Sequence, residues 1–258
     1  IVSLLSIANV IEGRYQAAFM APTEILATQH YNLAKEIFAD LNVKVELLTS
    51  KTETKKKKKV IDDLKNGEID LIIGTHSLFQ KKICYKNLGI VIIDEQHKFG
   101  VKQRSELAGK GGKNCDVLLM SATPIPRTMM MSLYGDMDVS KITSKPLNRK
   151  KILTLSKPEK KIDELWSFLG KQLNEKNQVF WVCPLIEESS FLDYSSAKKK
   201  FEMIENKFKN KVGLIHGALD KEEKQKILKK FLEKKISILV STTVIEVGID
   251  FPNANLII

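Results

Sequence analysis

Ile90-Val91-Ile92-Ile93-Asp94-Glu95-Gln96-His97 is the stretch from which the rest of the chain can be read. Four β-branched apolar residues follow one another without alternation, the pattern of a strand covered on both faces and therefore of a parallel sheet. The run ends on two adjacent carboxylates. In open parallel sheets ligands gather outside the carboxyl ends of the strands, so Asp94 and Glu95 arrive at the edge where chemistry is done. Successive strand residues point to opposite faces, which lets Asp94 hold a Mg²⁺ ion while Glu95 faces a water molecule. Such a pair suits nucleotide hydrolysis. For Asp-Glu alone an acidic strand end before a turn is the competing explanation, and Gln96-His97 weighs against it.

Similar short apolar runs recur at residues 44–48, 70–73, 89–93, 117–120, 178–182, 212–215 and 236–240. Between them lie stretches of helical period, among them residues 24–38, with Ile25, Leu26, Leu33, Ala34 and Ile37, and residues 221–232, with Ile227, Leu228 and Phe231. Alternating strands and helices predict an open α/β fold with right-handed crossovers. Small or polar residues close the runs: Thr49-Ser50, Gly74-Thr75, Asp94-Glu95, Ser121-Ala122-Thr123, His216-Gly217 and Ser241-Thr242-Thr243. These positions are expected to share a functional edge, once in each half of the chain. Residues 143–149 combine turn formers, a proline and charge without periodicity, and read as a linker with a boundary near residue 147. The lysines at 55–59 head a segment with a thin apolar stripe and are expected on a solvated helix face.

With 258 residues, 43% hydrophobic and 28% charged, and only 13 glycines and 7 prolines, the chain can bury a core, and disordered and collagenous classes are excluded. Its 42 Lys and Arg against 31 Asp and Glu leave a net charge of +11, a bias towards polyanionic partners. Only Arg14, Arg104, Arg127 and Arg149 are arginines, so a general preference for lysine on solvated faces explains the excess as readily as nucleic acid does. Cys84, Cys115 and Cys183 are odd in number and lack CxxC spacing, which argues against a disulfide framework or a zinc site and for a reducing, cytoplasmic setting. No apolar run approaches the roughly 18 residues of a membrane span, so no membrane partner is expected. The chain starts at Ile1 and stops inside an apolar run, and is read as a piece of a longer protein.

The string at Asp94-Glu95-Gln96-His97 resembles motif II, the Walker B element, of superfamily 2 helicases. Ala21-Pro22-Thr23-Glu24 is similar to motif Ia, Gly74-Thr75-His76 to motif Ib, Ser121-Ala122-Thr123 to motif III and residues 242–250 to motif V, all in family order. Within the superfamily, residues 121–128 are similar to both the RecG-type helicases and the transcription-repair coupling translocases. Residues 94–100 and 181–189 resemble the RecG type alone. The resemblance implies two RecA-like domains with parallel sheets, a P-loop NTPase fold truncated at both ends. Domain 1 is placed at residues 1–147 and domain 2 at residues 148–258.

It also implies an ATP-dependent DNA helicase, with ATP and Mg²⁺ as cofactors, acting as a monomer on branched duplex DNA without sequence preference, in repair and recombination. Asp94 would hold Mg²⁺ through the nucleotide, and Glu95 would polarise the attacking water, a general-base contribution of roughly 10² to 10⁴ in rate. Gln96 and His97 would relay the state of the γ-phosphate to Ser121 and Thr123, while Gly248 and Asp250 would face the nucleotide from the second domain. Arg127 would help to couple the motor to DNA. Pro22, Thr23, Gly74, Thr75 and Thr243 would touch backbone phosphates, contacts that carry no sequence information. Taken singly, each of these threonines reads more readily as a helix cap or a strand-end turn than as a phosphate contact. His30 and His76 are expected to be structural, and Trp166 and Trp181 to pack in cores.

No G-x-x-x-x-G-K-[ST] loop occurs, although that loop cradles the β and γ phosphates, and residues 1–12 resemble the helix that follows it. The arginine-bearing motif VI is also missing. An arginine finger alone is typically worth about 10³ to 10⁵ in rate, so this chain by itself is expected to be inactive. Two alternatives stay open: a coupling-type translocase and a catalytically inactive DNA-binding fragment. A DNA-stimulated ATPase assay on the isolated 258-residue chain checks the expectation, and robust turnover contradicts it.

Overall fold

The computed structural model describes residues 1–95, 109–110, 115–122, 138–144, 151–183, 190–242 and 251–258. The chain divides into two units, Ile1–Thr143 and Ser144–Ile258. The expected boundary at residue 147 lies outside the described residues.

In the first unit, helix α1 (Val2–Glu12) leads into strand β1 (Gln16–Met20), followed by α2 (Glu24–Ile37), β2 (Val45–Leu48), α3 (Thr54–Asn66), β3 (Leu71–Gly74), a single 3₁₀ turn (His76–Phe79), β4 (Leu88–Ile93) and β5 (Asp116–Leu119). The strands form one sheet in the order β2-β3-β1-β4-β5, with every pairing parallel. Every residue of β1, β3 and β4 is buried, whereas β5, at the sheet edge, has Asp116 exposed and the next three residues half-buried. Alternation along β1 fixes the layers. Ala18 and Met20 share a core with Val60 and Leu64 of α3, and Phe19, pointing the other way, meets His30 of α2. Helices α2 and α3 therefore cover opposite faces of the sheet.

The second unit runs α4 (Ile162–Asn174), β6 (Gln178–Val182), α5 (Ser190–Lys207), β7 (Val212–Ile215), α6 (Lys221–Leu232), β8 (Ile238–Ser241) and β9 (Ala254–Ile257). Its sheet has the order β7-β8-β6-β9, again parallel throughout. Trp166 of α4 and Trp181 of β6 stack at 5.4 Å in its core, beside Ala197 and Ile204 of α5. Asp220 caps α6 by accepting a hydrogen bond from the Glu223 N–H at 2.7 Å, which satisfies one of the orphan donors of the first turn.

All seven expected strands lie within two residues of their runs; β9 forms where no strand is expected, and so does β1. Its sequence, Gln-Ala-Ala-Phe-Met, carries two alanines and no β-branched residue, so propensity argues against a strand. It is the central strand all the same. Two helix-bearing faces press on it, and alanine lets the neighbouring layers approach closely.

The halves also share a device at the start of this strand. Gln16, 5% exposed, donates its side-chain amide to the carbonyls of Leu64 (3.0 Å) and Ile69 (2.8 Å), joining β1 to the end of α3 and the turn into β3. Its Oε1 accepts from the N–H groups of Lys86 (2.8 Å) and Asn87 (3.1 Å). Gln178, 3% exposed, repeats the donor half on Phe231 (2.6 Å) and Ile236 (3.0 Å) at the equivalent places of α6 and β8. The surrounding main chain matches too. Arg14 and Lys176, each two residues before the glutamine, have φ of 61° and 63°, and Gln16 and Gln178 each donate their own N–H to an asparagine carbonyl, Asn87 or Asn253. Burying such groups without partners costs about 1 to 3 kcal/mol each. Gln16→Leu is accordingly expected to lower stability by about 2 to 4 kcal/mol in urea unfolding.

Candidate active site

Strand order places the site. From β1 the chain moves through α2 to β2 on one side, returns to β3, then crosses to β4 on the other side of β1. The order thus reverses between β1 and β4, and a crevice at such a point is where open α/β sheets bind ligands. The Asp94 N–H donates to the Met20 carbonyl at 2.9 Å, so the first residue beyond β4 is tied to the end of β1.

Asp94 is held at both oxygens. Oδ1 accepts the Glu95 N–H at 3.0 Å, and Oδ2 lies 2.9 Å from Nε2 of His30. Its side chain is 19% exposed and reachable from solvent. Glu95 is 5% exposed, with φ of 48°. A non-glycine residue in this left-handed region costs roughly 1 to 2 kcal/mol, and strain of this kind persists only where its surroundings impose it. The turn also corrects the expected geometry. Strand β4 ends at Ile93, so pleat alternation does not govern the two carboxylates, and Glu95 follows in a left-handed turn with its side chain buried while that of Asp94 stays 19% exposed.

Beside them, the Met120 N–H donates to the Ile93 carbonyl at 2.9 Å and extends the β4–β5 pairing. The half-buried Ser121 therefore sits just past the end of β5, next to the motif II edge. Pro22 and Thr23 are half-buried at the start of α2, where the Thr23 hydroxyl oxygen caps the helix by accepting from the Leu26 N–H at 3.3 Å. Thr75 is 9% exposed, and its carbonyl accepts from Leu78 N–H at 3.1 Å, closing the 3₁₀ turn. A Cβ on Gly74 would run into the Leu48 carbonyl oxygen and come within 3.1 Å of Leu78 Cγ, so close packing of β3 on β2 requires glycine here. Gln96, His97, Thr123, Arg127, Thr243, Gly248 and Asp250 lie outside the described residues.

Thr242, just before the last three of these, is 6% exposed, and its N–H reaches the Ile215 carbonyl at 3.3 Å. In the same unit, burial and the neighbouring Lys224 hold His216 below the usual histidine range. The lysines of α3 are mostly exposed, Lys56 pairing with Glu46 at 3.3 Å.

His30 is the site residue that sequence reasoning set aside. The signal was present in its spacing: Leu26, Ala27 and Ala34 are the buried residues of α2, and His30 falls on the same face, a polar group on an apolar stripe.

Asp94 offers hard oxygen ligands, the kind Mg²⁺ prefers. Among the described residues no group of three or more His, Cys, Asp or Glu side chains is assembled. A cation held here would complete its shell with phosphate and water oxygens, as Mg²⁺ does in nucleotide sites. The residues fit that ion.

Two parallel α/β units, with an acidic pair at the switch point of the first, are an arrangement that binds ligands at the carboxyl edge of the sheet. Residues 1–132 match the DEAD/DEAH box helicase model and residues 160–258 the helicase conserved C-terminal domain, and the chain belongs to the DEAD/DEAH box helicase family. More particularly, it is similar to ATP-dependent DNA helicase RecG: 46% identical to that of Thermotoga maritima and 43% to that of Bacillus subtilis, in each case over 100% of this chain and 33% or 38% of the relative. The chain thus spans about a third of the length of these relatives. A solved structure of RecG bound to a three-way DNA junction superposes with a TM-score of 0.83 at 43% identity, covering 99% of this chain and 33% of that one. Yeast Dbp5 bound to RNA and ADP BeF3, at 20% identity and a TM-score of 0.66 over 94% of this chain and 61% of that one, shares the fold.

Gly74→Ala is expected to cost about 1 to 3 kcal/mol through overpacking, because the Leu48 backbone it meets is paired with Gly74 in the β2–β3 register. A thermal melt of the variant checks this.

Proposed function

We propose that the chain forms the motor core of an ATP-dependent DNA helicase that remodels branched DNA, such as stalled forks and Holliday junctions, in recombination and repair. The observation that carries this reading is the Asp94–Glu95 pair at the β1–β4 switch point of a chain 46% identical to a RecG along its whole length. Further support comes from the three-way junction bound by the similar RecG structure and from the net charge of +11.

In this mechanism Asp94 would hold Mg²⁺ together with the ATP phosphates, and the ion would supply charge neutralisation at the phosphate oxygens. Glu95 orients the attacking water and accepts its proton at the carboxylate. Its burial keeps bulk water from competing for that position. Gln96 and His97 sense the γ-phosphate and pass its state to Ser121 and Thr123, with Arg127 linking that change to DNA. Gly248 and Asp250 belong to the nucleotide side of the second domain. The two domains, residues 1–147 and 148–258, act as a monomer. Pro22, Thr23, Gly74, Thr75 and Thr243 meet the DNA backbone, the threonines and Gly74 through hydroxyl or main-chain N–H groups and Pro22, which has neither, through its ring, giving a grip indifferent to sequence.

Glu95→Gln preserves the shape of the side chain and removes its basicity. In the intact protein it is expected to retain nucleotide binding and to lose junction unwinding, read by a fluorescent nucleotide titration and a strand-displacement assay. Undiminished unwinding removes Glu95 from the mechanism.

A further inference from the structure

The Asp94 carboxylate is gripped by two elements at once. The main-chain N–H of Glu95 takes Oδ1, and His30, eight residues after Pro22 on α2, takes Oδ2. An ionised carboxylate only accepts hydrogen bonds, so Nε2 of His30 carries the hydrogen in this pair. The ring is itself held in place. It lies 4.5 Å from the ring of Phe19, which is 1% exposed in the middle of β1, and it shares the face of α2 that buries Leu26, Ala27 and Ala34. Rotation of the Asp94 carboxylate would break one of the two bonds, and withdrawal of His30 would break its packing on Phe19.

We propose that His30 is a positioning residue for ATP hydrolysis, fixing the orientation in which Asp94 presents its carboxylate to nucleotide-bound Mg²⁺. The assignment rests on the motor reading above and deepens it. It adds a residue from α2 to a site otherwise built from the ends of β4 and β5. Partners of this kind set the plane and basicity of a metal-binding carboxylate, and losing one commonly costs 10- to 100-fold in metal affinity or activity. No proton moves through His30 in this role. Its contribution is a donor at a fixed place.

The test uses the intact protein with His30→Leu, which keeps an apolar contact with Phe19 and removes the donor, and His30→Gln, whose amide restores an N–H at similar reach. Two quantities are read: the Mg²⁺ concentration that half-saturates ATP hydrolysis, and the affinity for a fluorescent ATP analogue in Mg²⁺ and in EDTA. For His30→Leu, half-saturation is expected to rise by about tenfold or more, with nucleotide affinity weakened in Mg²⁺ and unchanged in EDTA. His30→Gln is expected to stay within about threefold of the parent in both, a rescue that a role in packing alone would not produce. Parental Mg²⁺ dependence in His30→Leu overturns the assignment, as does a His30→Gln variant as impaired as His30→Leu. Asp94→Asn separates the levels. If hydrolysis survives it undiminished, the motor reading fails and the role of His30 with it; if Asp94→Asn is inactive while His30→Leu behaves as the parent, the His30 assignment alone fails.

Discussion

A buried glutamine at the head of the central strand is the constraint on which each half of the molecule depends. Gln16 and Gln178 enter their sheets at the point where a helix ends, a neighbouring strand begins and the main chain has just turned through a left-handed residue. Each of those places presents carbonyls to the head of the strand: those of Leu64 and Phe231, which also accept the main-chain N–H of Gly67 and Lys234, and those of Ile69 and Ile236. One side-chain amide reaches two of them, and a hydrocarbon side chain in its place would leave buried polar groups unpaired. The recurrence of this geometry in two units of unrelated local sequence shows that the parallel α/β arrangement poses the same hydrogen-bonding problem twice.

That anchoring fixes the register of β1 against β3 and β4, and the register fixes the site. Asp94 is where it is because Ile93 pairs with Met20, so the next residue emerges as β1 gives way to the loop before α2. Glu95 then departs from strand geometry at φ 48° in a buried position. A conformation of that cost is held by the packing around it, and it gives two neighbouring carboxylates different surroundings: Asp94 partly open to solvent and hydrogen-bonded on both oxygens, Glu95 enclosed. Different surroundings suit different tasks, one for a cation and one for a water molecule.

The sequence by itself determined the class of fold and the place of the acidic pair, because unbroken β-branched runs ending in small or acidic residues have few physical explanations other than parallel strands with a functional edge. It did not disclose β1, whose alanines make a poor strand by propensity and a good one under two helix layers, nor the packing role of Gly74, which shows itself only against the Leu48 carbonyl. Nor did it disclose His30, separated from Asp94 by 64 positions and drawn to within 2.9 Å of it. Periodicity and motif spacing report what a residue does along its own element. Which side chain from one element meets another depends on strand order, register and the face a helix turns towards the sheet, and those are decided when the layers pack together.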